Sequence, residues 1–535
     1  MRKISGARVC ALLLSAGSLS AGSPGMAAQA GTPAAAPAPA PAASSQTGAI
    51  REGVGRQDAG PPSTLQRGAP RQATPQQESI RATAPQGGAP SLPLPSTDPM
   101  RIDLGADPIL RLAKSQASPE MFRSTIANAV EHHPGTLEAE AITTEAGAVV
   151  DEAYERRLPS IDLSISSTHS FSRQFGTLTQ NIIERSQPRQ RTDAILSVNQ
   201  TLFDFGASAS RVSAAGARLR SAAASAEASA DNVALQSIAA WYDVFAFRAL
   251  TGLTDAFVHN QEDLRSAVEE RIRQGVSAPG DTARVDSYLA SARTRLAGFR
   301  RLRSDAEARF AELTGAPPPA DLQRAPIPVL PAISKDAAAL AAMSNPQSRS
   351  ALALADSARQ EAKATRSDRL PQISAAVDAN RYGVFENRYD YDVRGRLVLR
   401  QRLFGGTEAR LAQAQARSRS ADAHAARIRD EAARDASIAW TDVRALQEQL
   451  SAMEASYIAS RRSRDVLVER FVNARGNLFD VVAAEDSYFE TATSYIRALS
   501  ELDAARYVLL SRTGALLGAL DIDPARVGGQ GWRTR

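Results

Sequence analysis

The 535-residue chain has a single cysteine, Cys10. Downstream of it there can be no disulfide, no thiol chemistry and no lipid carried on cysteine. Cys10 itself lacks the apolar and small residues of a lipoprotein box ahead of it. Histidine is also scarce. His132, His133, His169, His259 and His424 are scattered, with no metal-ligand spacing toward cysteine or carboxylates. Neither a phosphate-binding Gly-Lys-Ser/Thr loop nor a Gly-x-Ser-x-Gly elbow occurs. The chain therefore reads as a protein without catalysis, cofactor or metal, whose helix carboxylates are solvated faces. Beyond residue 30 no run of eighteen or more apolar residues exists, which excludes a helical membrane span. A charge of one sign is missing too, since 63 Lys and Arg face 58 Asp and Glu, for a net of +5. Removal of Arg2, Lys3 and Arg8 leaves +2. The charges are mixed along helical faces and no nucleic-acid motif accompanies them, so nucleic acid is not a partner.

What is present begins with a targeting segment. Arg2, Lys3 and Arg8 flank the apolar run Val9 to Ala16, and Ala28-Gln29-Ala30 offers an A-x-A cleavage point. Residues 1–30 read as a secretory signal peptide. Residues 31–117 read as a disordered linker, almost wholly Ala-Pro from Pro33 to Pro41, because such a composition cannot bury enough apolar surface to offset its chain entropy. Order is expected from Ser118-Pro119-Glu120, a Ser cap followed by Pro in the first turn.

From there the chain is duplicated. Trp241, Asp243, Glu270-Arg271, Asp281 and Thr314-Gly315 return as Trp440, Asp442, Glu469-Arg470, Asp480 and Thr513-Gly514, each 199 residues later. A repeat this long is a duplicated half-domain rather than a solenoid unit. Val285, Leu289, Ala292, Leu296, Phe299, Arg303, Ala306, Phe310 and Leu313 step alternately by four and three, as a coiled-coil seam does. Tyr488, Ala492, Tyr495, Leu499, Leu502, Arg506 and Leu509 repeat the rhythm. No proline interrupts the outgoing arm from Ala207 to Gln274, which as one helix would reach about 100 Å. A long coiled-coil rod would satisfy the hairpin alone.

The opening of each half repeats as well. His133-Pro134 returns as Asn345-Pro346 and Arg157-Leu158-Pro159 as Arg369-Leu370-Pro371, both 212 residues on, whereas Leu202-Phe203 and Leu403-Phe404 are 201 apart. The eleven extra residues of the first copy fit an exposed loop. The expected organisation is a first repeat over 118–320, with strands at about 160–172 and 191–204 and long helices at about 207–274 and 280–315. A linker covers 321–334. The second repeat covers 335–520, with strands at about 371–385 and 391–404 and long helices at about 407–474 and 478–519, and 521–535 forms a flexible tail. Trp241 and Trp440, midway along matched helices, read as packing residues.

The strands decide the class. Ile161, Leu163 and Ile165 alternate with Asp162, Ser164 and Ser166, and Ile373, Ala375 and Val377 with Ser374, Ala376 and Asp378. Strands apolar on one face and polar on the other suit a transmembrane β-barrel. Four strands cannot close around a pore, and open edges are not tolerated in lipid, so several copies must share one barrel. In the last strand Val393, Leu397, Leu399 and Leu403 share one face, and Arg394, Arg396, Arg400 and Arg402 the other, with Val398 between them. With the apolar face in lipid, those arginines line the pore, partly offset by Asp378; they read either as water-facing side chains that keep the lumen wet or as a filter favouring anionic cargo.

A signal peptide, two repeats of this layout, an Asn-Pro or His-Pro helix break, Leu-Pro before the first strand and Leu202-Phe203-Asp204-Phe205-Gly206 after the second resemble the TolC-like outer-membrane channel family. The last motif departs to Leu403-Phe404-Gly405-Gly406 in the second half, one residue shorter. The resemblance covers roughly residues 119–520. It implies a mainly α fold with a transmembrane β section, in which two repeats of helix-helix-strand-strand-long helix-long helix form, as a homotrimer, a β-barrel continuous with a periplasmic α-helical barrel. It implies outer-membrane lipid, a periplasmic adaptor and an inner-membrane ABC or proton-driven transporter as partners. The hairpin turns hold Gly275, Asp281, Gly476, Leu478, Phe479 and Asp480. The glycines supply the reversals and the aspartates suit the starts of the return helices. Leu478 and Phe479 read as exposed apolar groups for docking, and by resemblance such tips meet the adaptor. The tip sequences resemble the branch serving type I protein secretion, with drug or metal efflux as the alternative. A periplasmic coiled-coil structural protein would not need the two-faced strands, and an inner-membrane-anchored adaptor would have one hairpin and a lipoyl-like domain.

The mature chain should start near Gly31 and contain no thiol. Intact-mass measurement on protein purified from cells checks both, and a thiol-reactive mature species would contradict the processing.

Overall fold

The computed structural model describes residues 103, 105–174, 186, 188–330, 333–386, 390–473 and 475–523. The signal peptide with Cys10, the Ala-Pro run from Pro33 to Pro41, most of the expected loop at 175–187 and the tail from residue 524 lie outside the described residues. Fourteen elements follow in the described chain. They are α1 (Pro108–Leu112), α2 (Pro119–His132), α3 (Pro134–Glu155), β1 (Ser160–His169), β2 (Gln190–Phe203), α4 (Ala207–Arg273) and α5 (Gly280–Thr314). The second half gives α6 (Lys335–Ala342), α7 (Pro346–Ser367), β3 (Gln372–Arg381), β4 (Tyr391–Arg400), α8 (Thr407–Val472), α9 (Leu478–Arg512) and α10 (Leu516–Ala519). From α2 onward one six-element order occurs twice.

Matched boundaries use matched chemistry. At the helix breaks a side chain caps the second helix and proline takes its first turn. His133 Nδ1 accepts from the Gly135 amide at 3.1 Å, and Asn345 Oδ1 from the Ser348 amide at 2.9 Å. At the strand-to-helix junctions, two residues in succession take positive φ: Phe205 and Gly206 at +53° and +83°, Gly405 and Gly406 at +94° and +79°. Glycine enters that region without a Cβ penalty, which is why both long helices start at one.

α4 and α8 run unbroken for 67 and 66 residues, about 100 Å each. α5 lies along α4 and α9 along α8, while α7 packs against both α4 and α8, and α9 also touches α4. The predicted seam of α5 is buried except at Phe299 and Arg303, and that of α9 except at Arg506. Each such large apolar side chain contributes about 1.5–3 kcal/mol on burial. Trp241 is fully buried, edge-on to Phe122 at 5.2 Å between ring centres, and its indole N–H donates to the Gln323 carbonyl at 2.9 Å. Trp440 donates in the same way to Ile333 at 3.0 Å. Both tryptophans therefore fasten the connection between the halves.

The described structure alters three expected boundaries. The linker does not reach residue 117. Asp107 caps α1, and Ile109 and Leu110 are buried, because this stretch has an apolar pair and a cap that the Ala-Pro segment lacks. The final long helix ends at Arg512 rather than 519, where Gly514 turns to φ +73° before the short α10. Order also persists past 520, since Ile522 is buried and Asp521 pairs with Arg123 at 2.5 Å.

The fixing of α1 is polar. Asp107 is buried and accepts the amides of Ile109 at 2.8 Å and Leu110 at 3.0 Å. The Tyr457 hydroxyl donates to it at 2.8 Å, and the Arg461 guanidinium completes the set. Tyr457 also meets the Tyr488 hydroxyl at 2.9 Å. One turn further along α8, Arg464 stacks 4.3 Å over the Tyr488 ring and donates to Asp465 at 2.8 Å. Nearby, Arg324 donates to Asp503 at 2.9 Å and to the Ala113 carbonyl. The residues before α2 are thus clasped to the second hairpin by buried charge.

Asp107→Ala leaves Arg461 and Tyr457 buried without their acceptor and should cost about 3–5 kcal/mol. Asp107→Ala/Arg461→Met should recover part of that in thermal unfolding followed by circular dichroism. A wild-type Tm for the single variant would remove the clasp. A second expectation concerns pH. Burial pushes Glu485 from 4.5 up to about 7, against the pull of Arg464 and with help from Asp465 and Asp486. The folded chain then keeps a proton that the unfolded chain has released, so this stability is complete below the lower value and lost as pH rises through the upper one. The loss is roughly 3 kcal/mol per chain. Burial raises Asp231 to about 6, which adds a slope of the same sign. Glu485→Gln should reduce the fall in Tm on going from acid to mildly alkaline buffer, and an unchanged profile would rule Glu485 out as its source.

Candidate functional site

The four strands form one antiparallel sheet in the order β1-β2-β3-β4. The register sets Leu163 opposite Leu196, Val198 opposite Val377 and Ala375 opposite Leu397. Ile161, Leu163, Ile165, Leu196, Val377, Leu397 and Leu399 therefore make one continuous apolar face. That face is bare, with Ile161, Leu163 and Ile165 each 68% exposed and Leu397 72%. None of the described residues covers it, and a face of this kind matches hydrocarbon rather than water. Among the described residues β1 and β4 each pair on one side only. Among the described residues no helix is long and apolar enough to cross a membrane.

The opposite face carries the predicted pore-lining residues, and the structure divides them. Asp378 stands between Ser197 on β2 and Arg394 on β4 in the register. It accepts from the Ser197 hydroxyl at 2.8 Å and pairs with Arg396 at 2.6 Å. Arg394 pairs with Asp392. These two arginines are neutralised locally. The strand ends at Arg400, so Arg402 lies beyond it instead of continuing the alternation to residue 404. Arg400 and Arg402 instead line a cavity of about 250 Å³ with Arg410 from the first turns of α8. The row of four arginines expected from the alternation thus divides into two that are paired, Arg400 at the end of the strand opposite Gln372, and Arg402 beyond it. The first, second and third strands are likewise shorter than predicted or shifted by one residue, ending at His169, Phe203 and Arg381.

At the other end of the molecule the two hairpins turn side by side. Gly275 takes φ +75° just after α4, and Asp281 and Asp480 fall in the first turns of α5 and α9. Gly476 is required by space: a Cβ there would lie 2.8 Å from the Phe471 amide nitrogen. Asn477 caps α9 by accepting the Phe479 amide at 3.1 Å. Leu478 was expected to be exposed but is only 5% so, and packs with Val268, Val285, Phe471, Val481 and Val482. A hairpin tip this narrow still needs an apolar plug, and Leu478 supplies it. Phe479 remains 49% exposed, with the Arg284 guanidinium 4.0 Å above its ring. Arg271 joins the tips, lying 4.2 Å over the Phe471 ring and donating to its carbonyl at 2.5 Å.

Sequence reading missed Asp107, Arg461, Glu485 and Arg410. The Asp107 pairing spans 354 residues and leaves no periodic trace. Among the described residues no three His, Cys, Asp or Glu side chains are grouped to hold a metal.

Residues 125–316 match the outer membrane efflux protein family. A curated relative, the outer membrane efflux protein BepC of Brucella suis biovar 1 (strain 1330), is 23% identical over 332 residues, 60% of this chain and 72% of that protein. Among solved structures, the chain superposes on CusC with a TM-score of 0.64 at 17% identity, over 75% of this chain and 92% of that one. It superposes on VceC of Vibrio cholerae with a TM-score of 0.65 at 18% identity, over 74% and 96% respectively.

Proposed function

We propose that this chain, a member of the TolC-like family of outer-membrane channels, is the passive exit duct of a tripartite system for type I protein secretion. It is an outer-membrane channel component with a long periplasmic helical extension, and not an enzyme. Channels of this family are homotrimers that work with periplasmic adaptors and inner-membrane transporters. The observation that carries the reading is the bare apolar face of a sheet with two open edges. A backbone edge has no partner in lipid, so one chain alone cannot insert stably. Three copies, edge to edge, close a barrel and satisfy every strand. The polar face then lines a wet lumen, and the helical hairpins continue it into the periplasm.

Resemblance of the two tip sequences to the secretion branch supports a protein cargo. The name of the Brucella relative, an efflux protein, favours a second reading as the exit of a drug or metal pump. Either cargo must be driven by the partners, since the chain offers no energy-coupling chemistry. The exposed Phe479 ring at the tip fits adaptor docking, with Gly275, Gly476, Asp281 and Asp480 shaping the turns beneath it.

Deleting the gene should remove one large secreted or surface protein while leaving growth inhibition by hydrophobic drugs and copper salts unchanged. The opposite pattern would favour the efflux reading. In the complemented strain Phe479→Asp should abolish export at normal trimer levels, whereas Leu478→Asp should lower the trimer level itself. Normal export by the Phe479 variant would put docking elsewhere.

A further inference from the structure

We propose that the cavity at the foot of β4 is an anion-binding site, one per chain, in which Arg400, Arg402 and Arg410 take phosphate or carboxylate groups. Four guanidinium groups line this space of about 250 Å³, those of Arg400, Arg402 and Arg410 together with Arg369, which is taken up by Glu408; it has room for roughly eight water molecules. Among the described residues none of Arg400, Arg402 and Arg410 has a carboxylate partner, although the cavity wall contains Asp368. Asp368 is already held by Arg211 at 2.5 Å, and the neighbouring Glu408 by Arg369. Unpaired arginines are not the habit of this surface. Higher on the same face Arg394 and Arg396 each have an aspartate. Like charges gathered without a counter-ion repel one another, and a planar guanidinium binds an oxyanion through two parallel N–H groups.

The duplication supplies an independent observation. At the equivalent junction of the first repeat, a carboxylate is built in. Asp204 accepts the Gly206 amide at 3.0 Å and the Ser208 amide at 2.7 Å, and pairs with the Ser208 hydroxyl. The second repeat has lost that residue: both long helices follow a glycine N-cap with no side chain of its own, and only the first has an aspartate two residues ahead of that glycine. The chain thus drops that carboxylate at the junction where three unpaired cations collect, and the acidic residue in the first turn of α8, Glu408, is already held by Arg369. An external oxyanion fits where the first repeat carries its own. The start of α8 at Thr407 adds a favourable field from the same side.

Gln372 lies opposite Arg400 in the register, on the face shared with Asp378 and Arg396. The cavity therefore sits on the polar side of the sheet. That it opens to the lumen rests on the membrane reading above, whereas the site itself stands on residues of one chain. In the lumen it gives acidic groups on a passing cargo a resting point where the barrel meets the helical tunnel.

The test is calorimetric titration of inorganic pyrophosphate into the purified full-length mature protein at constant ionic strength. The wild type should bind one pyrophosphate per chain. Arg400→Gln/Arg402→Gln/Arg410→Gln should bind at least tenfold more weakly, while Arg394→Gln/Arg396→Gln stays within twofold of wild type. Absence of binding to the wild type overturns the site whatever the variants do, as does equal binding by the triple variant. Neither result touches the export reading, which the deletion strain tests separately. Repeating the titration in nanodiscs of phosphatidylcholine, with and without phosphatidylglycerol, separates the sources of the anion. Equal affinity in both supports a soluble, lumen-borne group, and competition by phosphatidylglycerol overturns the luminal placement in favour of a lipid headgroup.

Discussion

Hydrocarbon offers no hydrogen bonds, and that constraint governs the rest of this molecule. A four-stranded sheet with one greasy face and two free edges is an incomplete object in lipid. Its edges must be met by other chains, so each protomer has to present β1 and β4 at matching heights and angles. The paired positive-φ residues at the foot of β2 and β4 fix those angles where each strand becomes a helix of about 100 Å. Trp241 and Trp440 then tie the connection between the halves to the middle of both helices. The long hairpins stand directly below the sheet, where they set the height at which β1 and β4 meet the copies that complete the barrel.

Below the sheet, the packing problem is reversed. Ala and Ser let the helices approach closely but bury little apolar area per residue. The region around Tyr457 and Tyr488 compensates with large aromatic rings and buried ion pairs. Burying charge is seldom the most stable choice, since desolvation offsets most of the attraction. What Asp107, Arg461, Arg324 and Asp503 provide is a unique seating. Four side chains that must all find partners admit one arrangement of the segment before α2, the inter-repeat connection and the second hairpin.

Much of this was legible in the sequence because it is periodic or repeated. The seam from Val285 to Leu313 and the two-faced strand at Ile161 to Ser166 follow from spacing alone, and the duplication locates every matched turn. The chain's own sequence could not place what depends on tertiary reach. Asp107 sits at the edge of a Pro-rich stretch and its partner lies in another hairpin. Leu478 reads as a surface residue by its position in a turn, yet the narrow tip buries it among Val268 and Phe471. The arginines of β4 alternate correctly by pattern, but which of them have a carboxylate partner depends on Asp378 of β3 and Asp392 of β4 itself. Pattern gives the face of a side chain and says nothing of its partner.

The sheet also imposes an order on folding. β1 with β2, and β3 with β4, are neighbours in sequence and can zip as local hairpins. The central pairing is different: Ala194 meets Arg381, with all of α4 and α5 lying between them. Closing so long a loop costs entropy that grows with its length, and contacts of this separation form slowly. The helical hairpin of the first half, built from neighbouring contacts, brings those two strands together once it has formed. The soluble part of the chain therefore serves as the template on which the membrane part is assembled, and the barrel closes from the water side.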